Sequence, residues 1–123
     1  MTRPDGSFPG EVVRLMWGRA FASCESCGRG LVWERRGWQW SAHHRDPRGM
    51  GGSSDPALGA ASNGLILCGH GTSGCHGLVE SRRAAALAAG LLVGPGARAA
   101  DVPVTLYMFG RVRLLDSGLV SDV

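Results

Sequence analysis

Residues 41–80 read SAHHRDPRGMGGSSDPALGAASNGLILCGHGTSGCHGLVE, and the reading of this stretch decides the fold. It holds all four histidines (His43, His44, His70 and His76), the one asparagine, Asn63, and two of the four cysteines, Cys68 and Cys75. The other two cysteines lie upstream in Cys24-Glu-Ser-Cys27. Metal-binding and proton-transferring groups are thus crowded into a glycine-rich segment that cannot build a core alone. The spacing predicts a strand ending at His43-His44 and a loop over 45–62 marked by Asp46-Pro47, Gly51-Gly52 and Asp55-Pro56. A second, apolar strand follows at Leu65-Ile66-Leu67, and then a helix opening near Cys75-His76.

Working outward, Glu11 to Ala22 has apolar residues at Val12, Leu15, Met16 and Ala20, close to helical spacing. That helix runs into Cys24-x-x-Cys27-Gly28, a turn that lets two thiolates face one ion. Leu31–Trp33 and Gly37–His44 read as two short strands with Glu34-Arg35-Arg36 between them. In the second strand His43 and His44 have opposite parity and point to opposite faces, so they are free to hold different jobs. The tryptophans of this region read as core packing in preference to base stacking. The helix from Cys75-His76 is expected to reach Leu92 or Val93 and stop at Gly94-Pro95-Gly96. On it His76, Glu80 and Arg83 share a face, with Leu87 and Leu91 continuing the row as a core contact. Alternation in Val102–Leu106 and Val112–Leu114, with turns at Gly110 and Ser117-Gly118, predicts a C-terminal hairpin that covers the core.

The chain has 123 residues, enough for one domain with a small core, and domains of this size often rely on a metal or disulfides as well as burial. We expect a tail over 1–10, a main domain over 11–94, and a hairpin extension over 95–123 packed on the same domain. No apolar run approaches the roughly 20 residues that cross a bilayer, and residues 1–10 lack a signal core. A cytoplasmic protein is the default expectation, and in that compartment four cysteines favour metal over disulfides. Net charge is +3 and every one of the 13 basic residues is arginine. Arginine's rigid fork suits phosphate, though a composition bias accounts for the absence of lysine more simply.

Two metal constellations emerge. Cys24 and Cys27, followed by Cys68 and Cys75, supply four thiolates for a closed tetrahedral site suited to structural zinc, although the six-residue gap of the second pair is wide. The second is His43, His44, Asn63 and His76. In the order SAHH, PRGMGG, SNGLILC, GCHGLVESRR, beside Cys24-x-x-Cys27, the chain over about 11–93 resembles the HNH endonuclease family, in its small phage and bacterial form with paired zinc-binding cysteines. The resemblance implies an α+β fold with a ββα-metal (His-Me finger) core. It also implies roles: His43 and His76 as ligands of a catalytic divalent ion such as Mg²⁺ or Mn²⁺, His44 as general base, and Asn63 as the residue that orients His44.

Family members that place a further histidine one turn after the helix ligand have Glu80 at that position here; it is open to ligation or to pairing with Arg82 or Arg83. His70, inside the Cys68–Cys75 gap, is open to zinc binding, DNA contact or plain solvation. Arg45, Arg48, Arg82 and Arg83 are candidate phosphate contacts. The implied activity is hydrolysis, most economically nicking, of DNA held mainly through its backbone by a monomer or weak dimer. For a phage-encoded protein the setting would be the host cytoplasm, with terminase or other packaging proteins as partners. The alternative is a zinc-stapled DNA-binding or adaptor module without catalysis, which needs the cysteines but not the histidines.

Overall fold

The computed structural model describes residues 7–47 and 55–123. Residues 1–6 of the expected tail, Arg48 and most of the PRGMGG loop lie outside the described residues. The elements form a small α+β fold with two small antiparallel sheets. Helix α1 (Gly10–Ala20) leads to the first cysteine turn, and strand β1 (Trp40–His44) pairs antiparallel with β2 (Gly64–Cys68). Helices α2 (Gly74–Ser81) and α3 (Arg83–Ala89) follow, and then a three-stranded sheet of β3 (Val104–Leu106), β4 (Gly110–Leu114) and β5 (Val120–Asp122). The register sets Trp40 against Cys68 and His44 against Gly64, so His44 lies at the Asn63 end of the pair and Cys68 at the other end.

All five residues of β2 are buried, and one cluster of apolar side chains joins Met16 of α1, Leu65 and Leu67 of β2, Val79 of α2 and Val104 and Leu114 of the C-terminal sheet. Among the described residues no helix is long and apolar enough to cross a membrane.

Helix α1 keeps Met16 and Ala20 of the expected apolar row inside but exchanges Leu15 for Val13. Val13, Met16 and Ala20 are buried, while Leu15 is 42% exposed. The cause is Arg19, which must also lie inside. Its guanidinium makes a bidentate pair with Glu25 (both contacts 2.8 Å) at side-chain exposures of 1% and 2%. It also donates to the carbonyls of Ala61 (3.0 Å) and Gly64 (2.6 Å). Glu25 in turn accepts the Ile66 N–H (2.9 Å), donates its own N–H to the Ile66 carbonyl (2.8 Å), and accepts the Tyr107 N–H (2.8 Å). One ion pair thus ties α1, the edge of β2 and the C-terminal sheet to the cysteine turn. The tail expectation fails from residue 7 on: Phe8 is buried among these side chains.

Three further expectations are corrected. Residues 31–33 are not a strand; a 3-10 turn spans Trp33–Arg35 and β1 begins only at Trp40. Here side chains take the place of a ladder, with Val32 N–H bonded to Gln39 Oε1 (2.7 Å) and Trp40 Nε1 to the Val32 carbonyl (2.9 Å). The long helix is two, broken at Arg82 (φ −129°, ψ 61°) and closed by Gly90 in the left-handed region (φ 78°) rather than at Gly94. A Cβ at Gly90 would run into the Pro103 carbonyl, so the chain turns where only glycine fits. Leu87 consequently sits at the surface instead of in the core. The expected C-terminal hairpin is present as β3–β4 and gains a third strand.

Breaking a buried ion pair leaves an uncompensated charge, which costs about 3–5 kcal/mol. We predict that Arg19→Met lowers the urea-unfolding free energy by that amount, whereas Arg83→Ala, at an exposed pair, changes it by less than about 1 kcal/mol. Equal effects of the two substitutions would contradict the role given to Arg19.

Candidate metal centre and active site

Three elements bring the four cysteines together. Cys24 and Cys27 come from the turn after α1, Cys68 ends β2, and Cys75 opens α2. Their sulfurs all lie within 4.8 Å of one another, with Cys27 Sγ and Cys68 Sγ 3.8 Å apart. A tetrahedral site with metal–sulfur bonds of about 2.3 Å has sulfur–sulfur edges of about 3.8 Å, so this spacing matches a bound metal such as zinc. The six-residue gap closes because Gly69 and Gly74 take positive φ (83° and 60°) and fold the loop back on itself; a side chain on either would strike the backbone of Ser73 or Cys68.

The Cys75 N–H donates to Cys68 Sγ (3.3 Å), a bond that steadies thiolate charge. Burial pushes the Cys24 thiol up to about 11 and, with the neighbouring Cys24, raises Cys75 further. Cys24 and Cys75 are thus held in their protonated forms, while Cys27, against its burial, is lowered by hydrogen bonds from the Arg29 backbone and the other thiols; a divalent ion would draw out the thiolates. Among the described residues, these cysteines are the one group of three or more His, Cys, Asp or Glu ligand atoms gathered to metal distance.

The histidines occupy the next position along. His76 follows Cys75 in the first turn of α2, and its ring lies 5.3 Å from that of buried His43, centroid to centroid. His43 Nε2 is 2.8 Å from the Leu91 carbonyl, which can only accept, so Nε2 carries the proton. Burial, reinforced by the charges of His76, His44 and Arg45, holds the His43 pKa down to about 4. The ring is therefore neutral at pH 7, with its proton on Nε2 and a lone pair on Nδ1. His76 is also lowered by burial, against the pull of Glu80. Its Nδ1 is the one buried side-chain nitrogen or oxygen among the described residues with no hydrogen-bond partner. Such an orphan asks for a ligand.

His44, on the opposite face of β1, is half-buried and stacks on Phe8 (4.0 Å, 15°), which fixes its ring plane. Asn63 acts on the chain just after it. Its Oδ1 accepts the Asp46 N–H (2.8 Å), its Nδ2 donates to Leu58 O (2.9 Å) and Asp46 O (3.3 Å), and its carbonyl accepts the Arg45 N–H (2.8 Å).

The remaining candidates separate clearly. Arg45 is not a phosphate contact: it is 0% exposed and donates to the carbonyls of Ser62, Gly90, Ala99 and Val102 at 2.6–3.0 Å. Burial and nearby Arg19 bring its pKa down to about 10, which leaves it protonated at pH 7. Glu80 is exposed and reaches Arg83 (3.5 Å). His70 is exposed, its Nδ1 meeting the Thr72 N–H (3.4 Å) and hydroxyl (3.2 Å). Arg82 and Arg83 are at the surface.

Sequence reasoning missed Arg19, Glu25, Phe8 and Asp46. Glu25 was visible between the cysteines, but nothing local pairs it with Arg19. Asp46 lies beside His44, its carboxyl raised by burial and by Asp55 and lowered by His44.

Comparison with family models, with curated proteins and with solved structures returned no match. Fold and site define a small α+β protein whose four-cysteine cluster can hold a metal such as zinc. We predict one tightly held zinc ion per chain, released by Cys68→Ser together with a large fall in the thermal midpoint, as measured by elemental analysis and circular dichroism. Retention of a full equivalent of zinc by Cys68→Ser would contradict the site.

Proposed function

We propose that the protein is a metal-dependent HNH endonuclease that hydrolyses DNA phosphodiester bonds, with zinc as a structural staple on the cysteines. The observation that carries this reading is the unpartnered Nδ1 of His76 beside a neutral His43 whose Nε2 is already engaged. An imidazole nitrogen with no protein partner, beside a second neutral imidazole whose other nitrogen is engaged, suits a divalent ion. Two protein ligands leave coordination positions for water and phosphate, in contrast to the closed cysteine site. The β1–β2–α2 order, with His43 and His44 on β1 and His76 on α2, supports a ββα-metal core.

In this reading His43 and His76 hold the ion, Mg²⁺ or Mn²⁺ being the expected metals. When bound, it stabilises charge on phosphorus and on the departing 3′ oxygen. His44 takes a proton from the water that attacks phosphorus. Phe8 holds the His44 ring by stacking, and Asn63 fixes the backbone of Arg45 and Asp46 directly after it. Asp46, beside His44, favours the imidazolium formed by proton uptake. A zinc-stapled DNA-binding module would need the cysteines alone and would leave the His43–His76 pair without use.

The test is nicking of supercoiled plasmid. We predict metal-dependent cleavage by the wild type and a loss of about 10²–10⁴-fold in His44→Ala at unchanged zinc content. No cleavage by zinc-loaded wild type in Mg²⁺, Mn²⁺ or Zn²⁺, or full activity in His44→Ala, would overturn the proposal.

A further inference from the structure

The four tryptophans divide in a way that the core reading of them does not cover. Trp17, Trp33 and Trp40 pack on one another with ring centroids 4.8–5.6 Å apart, and Trp40 is wholly buried. Trp38 is left outside, 61% exposed. A single exposed aromatic is ordinary on a protein surface. This one differs in its mounting and in its neighbours.

The mounting is rigid. Trp38 sits at the tip of a tight turn in which the Gln39 N–H bonds to the Arg35 carbonyl (2.9 Å) and the Gly37 N–H to the Trp40 carbonyl (2.8 Å). The turn is anchored by the Val32–Gln39 and Trp40–Val32 bonds and by buried Trp40. The indole is therefore offered to solvent from a fixed base, at little further entropic cost on binding.

Its neighbour is an arginine, and two more arginines lie over the other tryptophans. The Arg35 guanidinium lies 5.5 Å over the Trp38 ring, Arg36 lies 5.6 Å over Trp40, and Arg14 lies 4.9 Å over Trp33. All three are exposed, and Glu34 is the acidic residue on the same turn. Cations placed beside an exposed aromatic face suit a partner that is anionic and carries flat rings. Single-stranded nucleic acid has both features in alternation.

The turn also leads directly into the strand that carries the proposed general base. Trp38 precedes β1 and His44 ends it, six positions further along. At about 3.3 Å per residue they are at most about 20 Å apart. At the duplex rise of about 3.4 Å per nucleotide, and fewer for an extended single strand, that distance spans at most about six nucleotides.

We propose that Trp38, with Arg35 and Arg36, is a stacking platform for an unpaired DNA base, and that the favoured substrate is DNA carrying a single-stranded stretch within about six nucleotides of the cut. The inference rests on the nuclease reading for its substrate, but its binding half can be tested alone. The probe is a short fluorescein-labelled oligothymidylate, compared with a duplex of equal length, at two salt concentrations. We expect the wild type to bind the single strand with quenching of tryptophan emission. Base–aromatic stacking predicts a loss of about tenfold in single-strand affinity for Trp38→Ala, a much smaller loss for Trp38→Phe, and little change for duplex. Arg35→Gln combined with Arg36→Gln is expected to flatten the salt dependence.

Unaltered zinc content and thermal midpoint in each variant exclude misfolding as the source of the effect. Single-strand affinity unchanged in Trp38→Ala, or lost equally for both probes, or absent in the wild type, overturns the platform. Plasmid nicking is read on the same samples. Nicking with no Trp38 effect removes the platform and leaves the nuclease standing; a Trp38 effect without nicking keeps the platform and removes the nuclease.

Discussion

Gathering four thiols at one point is the constraint on which the rest of the structure depends. The sulfurs come from chain segments 40 residues apart, between Cys27 and Cys68, and each segment ends or begins a regular element. A metal held there joins the end of α1 to the end of β2 and the start of α2. Burial drives Cys24 and Cys75 toward their protonated forms, so a binding cation has to displace those protons. A metal that binds the folded cluster alone would add its affinity to the folding free energy. Glu25, between the two cysteines of the first turn, carries the constraint inward through Arg19 and Ile66.

The same constraint positions the chemistry. Cys75 and His76 are consecutive, one turned to the sulfur cluster and the other to His43. Fixing Cys75 fixes the first turn of α2 and with it His76. His43 is held from the other side by the Leu91 carbonyl, which α3 delivers after closing at Gly90. Arg45 adds a second brace, since its contacts with Ser62, Gly90, Ala99 and Val102 tie both sides of the β1–β2 pair to the segment behind it. A small core thus supports two groupings of different character: the four cysteine sulfurs, and beside them the His43–His76 pair.

The features legible in the sequence were those carried by local pattern. The β1 and β2 strands, the cysteine set, the start of α2 and the β3–β4 hairpin follow from parity, apolar runs and glycine punctuation. What escaped was set by tertiary demand. The face of α1 is chosen by a buried arginine that a hydrophobicity pattern counts as polar, so Leu15 was placed inside and Val13 overlooked. The 3-10 turn at Trp33–Arg35 exists because Gln39 and Trp40 side chains satisfy backbone groups that a strand would otherwise bond. The alanine-rich run looked like one helix because alanine favours helix throughout; its early stop at Gly90 depends on the passing Pro103 carbonyl, more than ten residues on. Phe8 read as tail because one aromatic among prolines and glycines has no period. Arg45 read as a phosphate contact because charge suggests solvent, and only the fold surrounds it with carbonyls.

The central claim is that His43 and His76 form an exchangeable metal site distinct from the cysteine cluster. It is tested most directly by titrating zinc-loaded protein with Mn²⁺ and following the imidazole resonances by long-range ¹H–¹⁵N NMR. The account predicts that His43 and His76 broaden first and together, while exposed His70 persists and zinc stays bound. Broadening of His70 ahead of the pair, or no broadening of His43 and His76 at all, would contradict it.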